Sequence, residues 1–298
     1  MHIGVDIGGT KTEAVVTDRS GVVLALCRSE TGRGAEGVVE TTSAAIESVL
    51  ASLGSGLDGV KTVGVGIPGV VAGGRVSHAL NLAIDDFDLG TALGRRLGVA
   101  AHVENDADAA TYGAWILAGD GPRSIAYLNL GTGLAAGVIV RGELWRGTRG
   151  AVGEIGHISI DPCGPADTDG VRGGLETYAS GSGVARQWGV HGVNVADVFA
   201  AAGAGDHRAK EIRDGVYFGA ASAIRLLILT FDVDEVIVGG GLTRLGEALI
   251  DGISLQFKRW GSASSFMRSL ELESRYRLLD PEQPVAAVGA AMMGALHG

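Results

Sequence analysis

Two stretches of the chain share one pattern: an apolar run, a turn of glycine and threonine, and a second apolar run that closes in a polar turn with glycine. The first runs from residue 4 through Gly8-Gly9-Thr10-Lys11 to residue 18 and closes at Arg19-Ser20-Gly21. The second runs from residue 127 through Gly131-Thr132-Gly133 to residue 140 and closes at Arg141-Gly142. The period on both sides is that of strands, so each stretch predicts a β-hairpin with its glycine loop at the tip. Elsewhere the period changes. Over 35–53, Val39, Thr42, Ile46, Val49, Leu50 and Leu53 recur at the spacing of an amphipathic helix. A buried strand is expected at 61–67, ending at Pro68-Gly69, and a short strand at 99–103, ending at Glu104-Asn105-Asp106. Strong helix formers follow at 107–117, which places Asp106 at a strand-to-helix junction. After the second hairpin come a loop-rich stretch at 147–174, helices at about 177–188 and 214–230, a strand at 235–238, Gly239-Gly240-Gly241 and a further helix. Each half reads as an α/β unit with a mixed sheet.

Composition narrows the class. A chain of 298 residues with 46% hydrophobic and 19% charged positions can hold two domains, each with its own core. Its 50 glycines lie scattered through apolar segments without a period, which favours tight turns and close backbone packing over any fibrous repeat. The formal net charge of −10 gives no basic stripe for a phosphate backbone, so no nucleic acid partner is expected. Cys27 and Cys163 are too few for a disulfide framework, and the first residues lack a secretory pattern, so a cytoplasmic protein is expected. The longest apolar stretch, 220–231, contains Ser222 and Arg225 and is too short to span a bilayer; no membrane partner is expected.

The loops carry the candidate chemistry. Gly8, Gly9, Gly131 and Gly133 let backbone N–H groups approach an anion with no Cβ in the way, and phosphate is the natural guest. Neither loop opens a helix or carries Gly-Lys-Ser/Thr, so the dinucleotide fingerprint and the Walker loop are both set aside. Asp106 has two readings, a reactive carboxylate or a plain helix cap.

Five motifs in order resemble the ROK family of bacterial sugar kinases and related repressors, within the actin-like ATPase superfamily. They are Asp6-Ile-Gly-Gly-Thr-Lys11, Glu104-Asn-Asp106, Gly131-Thr-Gly133, Gly153-Glu-Ile-Gly-His157 and Val238-Gly-Gly-Gly241. The resemblance implies an α/β chain with the two-domain actin-like ATPase (ribonuclease H-like) fold, mixed β-sheets flanked by helices. A small domain would take residues 1–106 with the last helix, about 285–298, folded back onto it, and a large domain 107–284. It implies ATP-dependent transfer of the γ-phosphoryl group to the 6-hydroxyl of a hexose, in a cleft between two domains, with ATP and Mg²⁺ as cofactors. Gly8, Gly9, Thr10, Lys11, Gly131, Thr132 and Gly133 would cradle the phosphates, and Gly239, Gly240 and Gly241 would line the adenosine. Asp6 would hold Mg²⁺ through water. Asp106 would be the catalytic base that accepts the proton of the attacking hydroxyl. Gly69, Asn105, Asp106, Glu154, His157 and Glu176 would bind the sugar, and a homodimer or homotetramer is implied.

Two departures qualify the resemblance. Where most relatives place three zinc-binding cysteines after the signature histidine, this chain has Asp167, Asp169 and Gly174 at the same spacing. No structural zinc is therefore expected; the loop would be held by turn residues and an Arg172–aspartate contact, with cation binding by Asp167 and Asp169 an alternative. The segment 81–89, starting at Asn81, lacks the Gly-Trp that many relatives carry, which leaves glucose, mannose, fructose and an N-acetylhexosamine open. A polyphosphate donor, a sugar-responsive repressor and a non-catalytic sugar sensor are the competing readings. A repressor would need an N-terminal helix-turn-helix, and retention of Asp106 with both loops speaks against a sensor.

Overall fold

The alternating runs are strands and the striped runs helices in the computed structural model, which describes residues 1–119, 123–148, 151–168 and 170–297. The order begins β1 (His2–Ile7), β2 (Lys11–Thr17), β3 (Val23–Glu30), α1 (Gly34–Ala51), β4 (Thr62–Ile67), β5 (Val70–Ala72), β6 (Arg75–Ala79) and β7 (Ile84–Asp88). It continues α2 (Leu89–Leu97), β8 (Ala100–Asn105), α3 (Asp106–Ala118), β9 (Ile125–Leu130), β10 (Leu134–Val140), β11 (Glu143–Leu144), α4 (Leu175–Ala179) and α5 (Gly181–Trp188). It closes with α6 (Val195–Gly203), α7 (His207–Phe231), β12 (Glu235–Gly239), α8 (Glu247–Ala263), α9 (Ser265–Ser269), β13 (Tyr276–Leu278) and α10 (Val285–Ala295).

Two units divide the chain: Met1–Gly121 with Pro284–Gly298, and Pro122–Gln283. In the first, the sheet order is β3-β2-β1-β4-β8, with β1 and β2 an antiparallel hairpin and β1, β4 and β8 parallel. Ile3, Val5, Ile7, Val63, Val65 and Ile67 bury one face of that sheet with Val38, Ile46 and Val49 of α1. On the opposite face β1 and β4 present Gly4 and Gly64, and Val15 of β2 packs on α10. A Cβ on Gly4 or Gly64 would overlap the backbone carbonyls of Ala287 and Ala290, so α10 lies directly on the sheet. Gly113 and Gly289 bring α3 and α10 equally close, each without room for a Cβ against the other helix. That contact puts α3 in the first unit, so the division falls after it and not at residue 106. A small second sheet, β5-β6-β7, completes the unit.

The second unit repeats the layout. Its sheet order is β11-β10-β9-β12-β13, again an antiparallel hairpin, β9 and β10, followed by parallel neighbours. Ala220, Ala221, Ala223, Ile224 and Leu227 of α7 are fully buried in its core. By length and composition α7 is apolar enough to cross a bilayer; half of its most apolar stretch is buried inside the unit.

The helix expected at 177–188 is two helices. Ser180 is extended, with φ −132° and ψ 161°, and its hydroxyl accepts from the Gly183 N–H, which ends α4 and starts α5. α7 starts seven residues before the expected 214, because Asp206 caps it by accepting from the Ala209 N–H. β3, the β5–β7 sheet and α6 have no counterpart among the expected elements.

Candidate active site

The parallel strands of the first unit deliver their functional residues to one edge. Asp6 near the end of β1 pairs with Gly66 of β4, and Gly66 with Glu104 of β8, so the carboxyl ends of all three strands meet there, where open α/β sheets bind ligands. Asn105 caps α3: its Oδ1 accepts from the N–H groups of Ala107 at 2.9 Å and Asp108 at 3.2 Å, while its Nδ2 donates to the Gly69 carbonyl at 3.0 Å. The cap is thus Asn105, and Asp106 is the first residue of the helix itself. Gly69 has φ +109° and a Cβ there would stand 2.6 Å from the Ser77 carbonyl, so only glycine fits.

Asp6 is half-buried. Burial pushes its carboxyl up to about 7, with repulsion from Asp106 and Glu13 adding to the rise and the Lys11 ammonium opposing it. Gly66 makes room for this pairing, since a Cβ there would stand 3.2 Å from the Ala109 Cβ and 3.6 Å from the Asp106 Cα. In the hairpin loop the Gly8 N–H donates to the Lys11 carbonyl at 2.9 Å, and a Cβ on Gly9 would rest 3.4 Å from that of Asn81. Thr10 is exposed at the tip. The Lys11 ammonium lies 3.2 Å from the Glu13 carboxylate, which also accepts from Arg28.

The second hairpin is braced from behind. The Gly131 N–H closes the turn onto Gly133 at 3.0 Å, and the N–H groups of Gly181 and Ser182, at the start of α5, donate to the carbonyls of Gly131 and Thr132 at 2.8 and 3.0 Å. Glu176 accepts from the Leu134 N–H at 2.9 Å, and a Cβ on Gly133 would stand 2.8 Å from the same oxygen. Glu154 precedes a 3₁₀ turn, Ile155–His157, that His157 ends, with the two side-chain tips 4.0 Å apart and exposed. Gly153 has φ +91° and lies on β10, where its carbonyl accepts from the Ala136 N–H at 2.8 Å. A Cβ on Gly239 would collide with the Tyr127 hydroxyl, and one on Gly240 would meet Asn129 and Leu130; Gly241 has open space. Two of these three glycines therefore serve the fit of β12 against β9.

Hydrogen bonds tie the loop that precedes α4. The Asp167 carboxylate accepts from the Val171 N–H at 2.8 Å, and Arg172 donates to the Gly164 carbonyl at 3.1 Å. Asp169 lies outside the described residues.

A model of the ROK family matches residues 2–294. The chain belongs to the ROK family. It is 30% identical over 282 residues to a glucokinase of Halalkalibacterium halodurans, covering 87% of this chain and 86% of that one. A ROK hexokinase from Thermus thermophilus superposes with a TM-score of 0.82 at 28% identity, covering 99% of this chain and 98% of that one. A ROK glucokinase from Streptomyces griseus, solved with glucose and AMPPNP, superposes at 0.76 with 32% identity and 99% of both chains. The two units thus carry the actin-like ATPase fold of ROK kinases.

Within this ROK chain the structure brings Asp6, Gly69, Asn105 and Asp106 together in one unit, and ties Gly131–Gly133 to Glu176 in the other. The Lys11–Glu13–Arg28 cluster is absent from the sequence expectations. Its signal is present nonetheless, since Lys11 and Glu13 alternate onto one face of β2 and Glu13 sits opposite Arg28 in the ladder.

Proposed function

We propose that this ROK chain is an ATP-dependent hexose kinase that moves the γ-phosphoryl group of ATP to the 6-hydroxyl of its sugar, with glucose the leading substrate. The observation that supports it most is the placement of Asp106 at the first position of α3, beside Asp6 at the carboxyl edge of the first sheet. Phosphoryl transfer asks for positioning and charge neutralisation more than covalent help. The N–H groups of Gly9, Thr10, Thr132 and Gly133, with Lys11, are assigned to the phosphates, and Gly241 to the adenosine. Asp106 accepts the proton of the sugar hydroxyl as that oxygen attacks, and the α3 N-terminus favours the negative charge this requires.

Two acids that repel one another at a sheet edge fit a hard divalent cation. Asp6, through water, would hold Mg²⁺, which when bound screens the charge of the phosphoryl oxygens. Among the described residues no three His, Cys, Asp or Glu are grouped so as to hold a metal ion by themselves.

The chain's similarity to glucokinases, one of them solved with glucose, favours glucose among hexoses. Coupled ADP release across a panel of hexoses tests both donor and acceptor, with polyphosphate replacing ATP in a parallel series. Asp106→Ala is expected to lower kcat by ~10²–10⁴-fold. Turnover by that variant at the parent's rate would overturn the mechanism.

A further inference from the structure

Among the described residues between Gly153 and α4, a long stretch of irregular chain has one 3₁₀ turn and two isolated bridges, Ser159 to Gly174 and Ala166 to Arg172. Ordering so much irregular backbone opposes chain entropy, so a few strong ties must hold it. The structure assigns that task to a lock in which the Tyr178 hydroxyl donates to the Asp161 carboxylate, and through which this pair positions Glu154 and His157 for the sugar. The positioning of Glu154 and His157 rests on the hexose kinase reading; the lock itself stands without it.

Every part of the lock is built into the surroundings. The Tyr178 hydroxyl reaches Asp161 Oδ2 at 2.7 Å, and Asp161 Oδ1 accepts from the Cys163 N–H at 3.1 Å. The Asp161 carbonyl accepts from the Gly164 N–H at 2.9 Å. Gly164 and Gly173 are pressed so close that a Cβ on the first would collide with the Tyr178 hydroxyl, and on the second with the Asp161 carbonyl. Arg172 holds the Gly164 carbonyl, and its own carbonyl accepts from the Ser159 hydroxyl at 2.6 Å. Ile160 N–H to the Gly173 carbonyl at 2.8 Å and Leu175 N–H to the Ile158 carbonyl at 3.0 Å carry the tie back toward His157.

The anchor is equally specific. Tyr178 is buried, its ring meets Phe218 of α7 edge-on with centroids 5.8 Å apart, and Gly215 and Gly219 give it room against that helix. Burial and the facing carboxylate hold its hydroxyl well above the usual tyrosine range, so it remains a donor at working pH. Two residues earlier on the same helix, Glu176 braces the glycine hairpin. One short helix thereby fastens both the phosphate loop and the sugar loop to α7. The tie is a hydrogen bond to a charged acceptor, the stronger kind.

Tyr178→Phe keeps the ring against Gly215 and Gly219 and removes only the donor, which makes it the test variant. In the unliganded protein, amide exchange over 158–168 is expected to quicken ~10–100-fold, the scale of one lost hydrogen bond to a charged acceptor. KM for the hexose should rise ~10-fold, with kcat within about twofold and KM for ATP unchanged. Asp161→Ala, which also strips the acceptor of the Cys163 N–H, should lose at least as much, the double variant should do no worse than Asp161→Ala, and Asp161→Asn, which keeps one acceptor for Tyr178, should restore part of the loss. A chelator should change nothing in the parent. Unchanged exchange in Tyr178→Phe would overturn the lock, and faster exchange with an untouched hexose KM would overturn its positioning role. If the parent phosphorylates no hexose, the kinase reading fails while the exchange comparison still decides the lock.

Discussion

Asp6 carries the clearest electrostatic signature of any single residue. Its carboxyl is lifted from 3.8 to about 7, so between those values the folded chain keeps a proton that the unfolded chain has released. Where the native state binds more protons, stability falls as pH rises. The metal-free protein should therefore lose stability through this group from about pH 4 to about pH 7, with no further loss above. Thermal melts of parent and Asp6→Asn across that window check it: the difference between the two curves should grow in the variant's favour as pH rises. Glu176 offers a second residue-scale test. Removing it leaves the Leu134 N–H without its acceptor, a loss of about 1–3 kcal/mol, and loosens the Gly131–Gly133 turn. Glu176→Ala should then raise KM for ATP at least as much as KM for the sugar; a change confined to the sugar would show that the brace is the lesser role. The residue types at the site were legible in the sequence, since glycine pairs and an Asn-Asp step declare their chemistry. Their division of labour was not: nothing local says that Asn105, and not Asp106, takes the cap, because that choice depends on Gly69 arriving from the turn between β4 and β5.

At the scale of elements, packing of α10 is the critical contact. Gly289 faces the Ala109 carbonyl of α3 with no room for a methyl group, so Gly289→Ala should destabilise the first unit by about 3 kcal/mol or more, read by urea unfolding. Gly241→Ala, with open space around it, should be nearly silent in the same measurement. The two hairpins were visible in advance because both of their strands are apolar and their turns are glycine-rich. β3 escaped because its exposed face carries Leu24 and Leu26 beside Arg28 and Glu30, which blurs the alternation that its buried-side residues follow. The first two turns of α7 are polar, so periodicity marks only its buried part, and the start is fixed by the Asp206 cap. A tertiary demand broke the expected 177–188 helix, since Ser180 must turn for Gly181 and Ser182 to reach the glycine hairpin.

At the scale of the whole molecule, each unit has a five-stranded sheet of one design, a hairpin followed by parallel strands, and only the second unit is a continuous piece of chain. The segment Pro122–Gln283 has its own large core, so expressed alone it should fold cooperatively, as judged by a sigmoidal urea transition and near-ultraviolet dichroism. Ending the full chain at Gln283 should leave that transition intact and abolish the one belonging to the first unit, because Gly4 and Gly64 would face water in place of α10.

A consequence follows for how the protein is born. Strands β1 to β4 leave the ribosome long before α10, the helix that roofs them, is made. The amino-terminal sheet must wait, half dressed, while the later sheet matures ahead of it, and whatever shields its bare glycine face during that interval governs the yield of active enzyme.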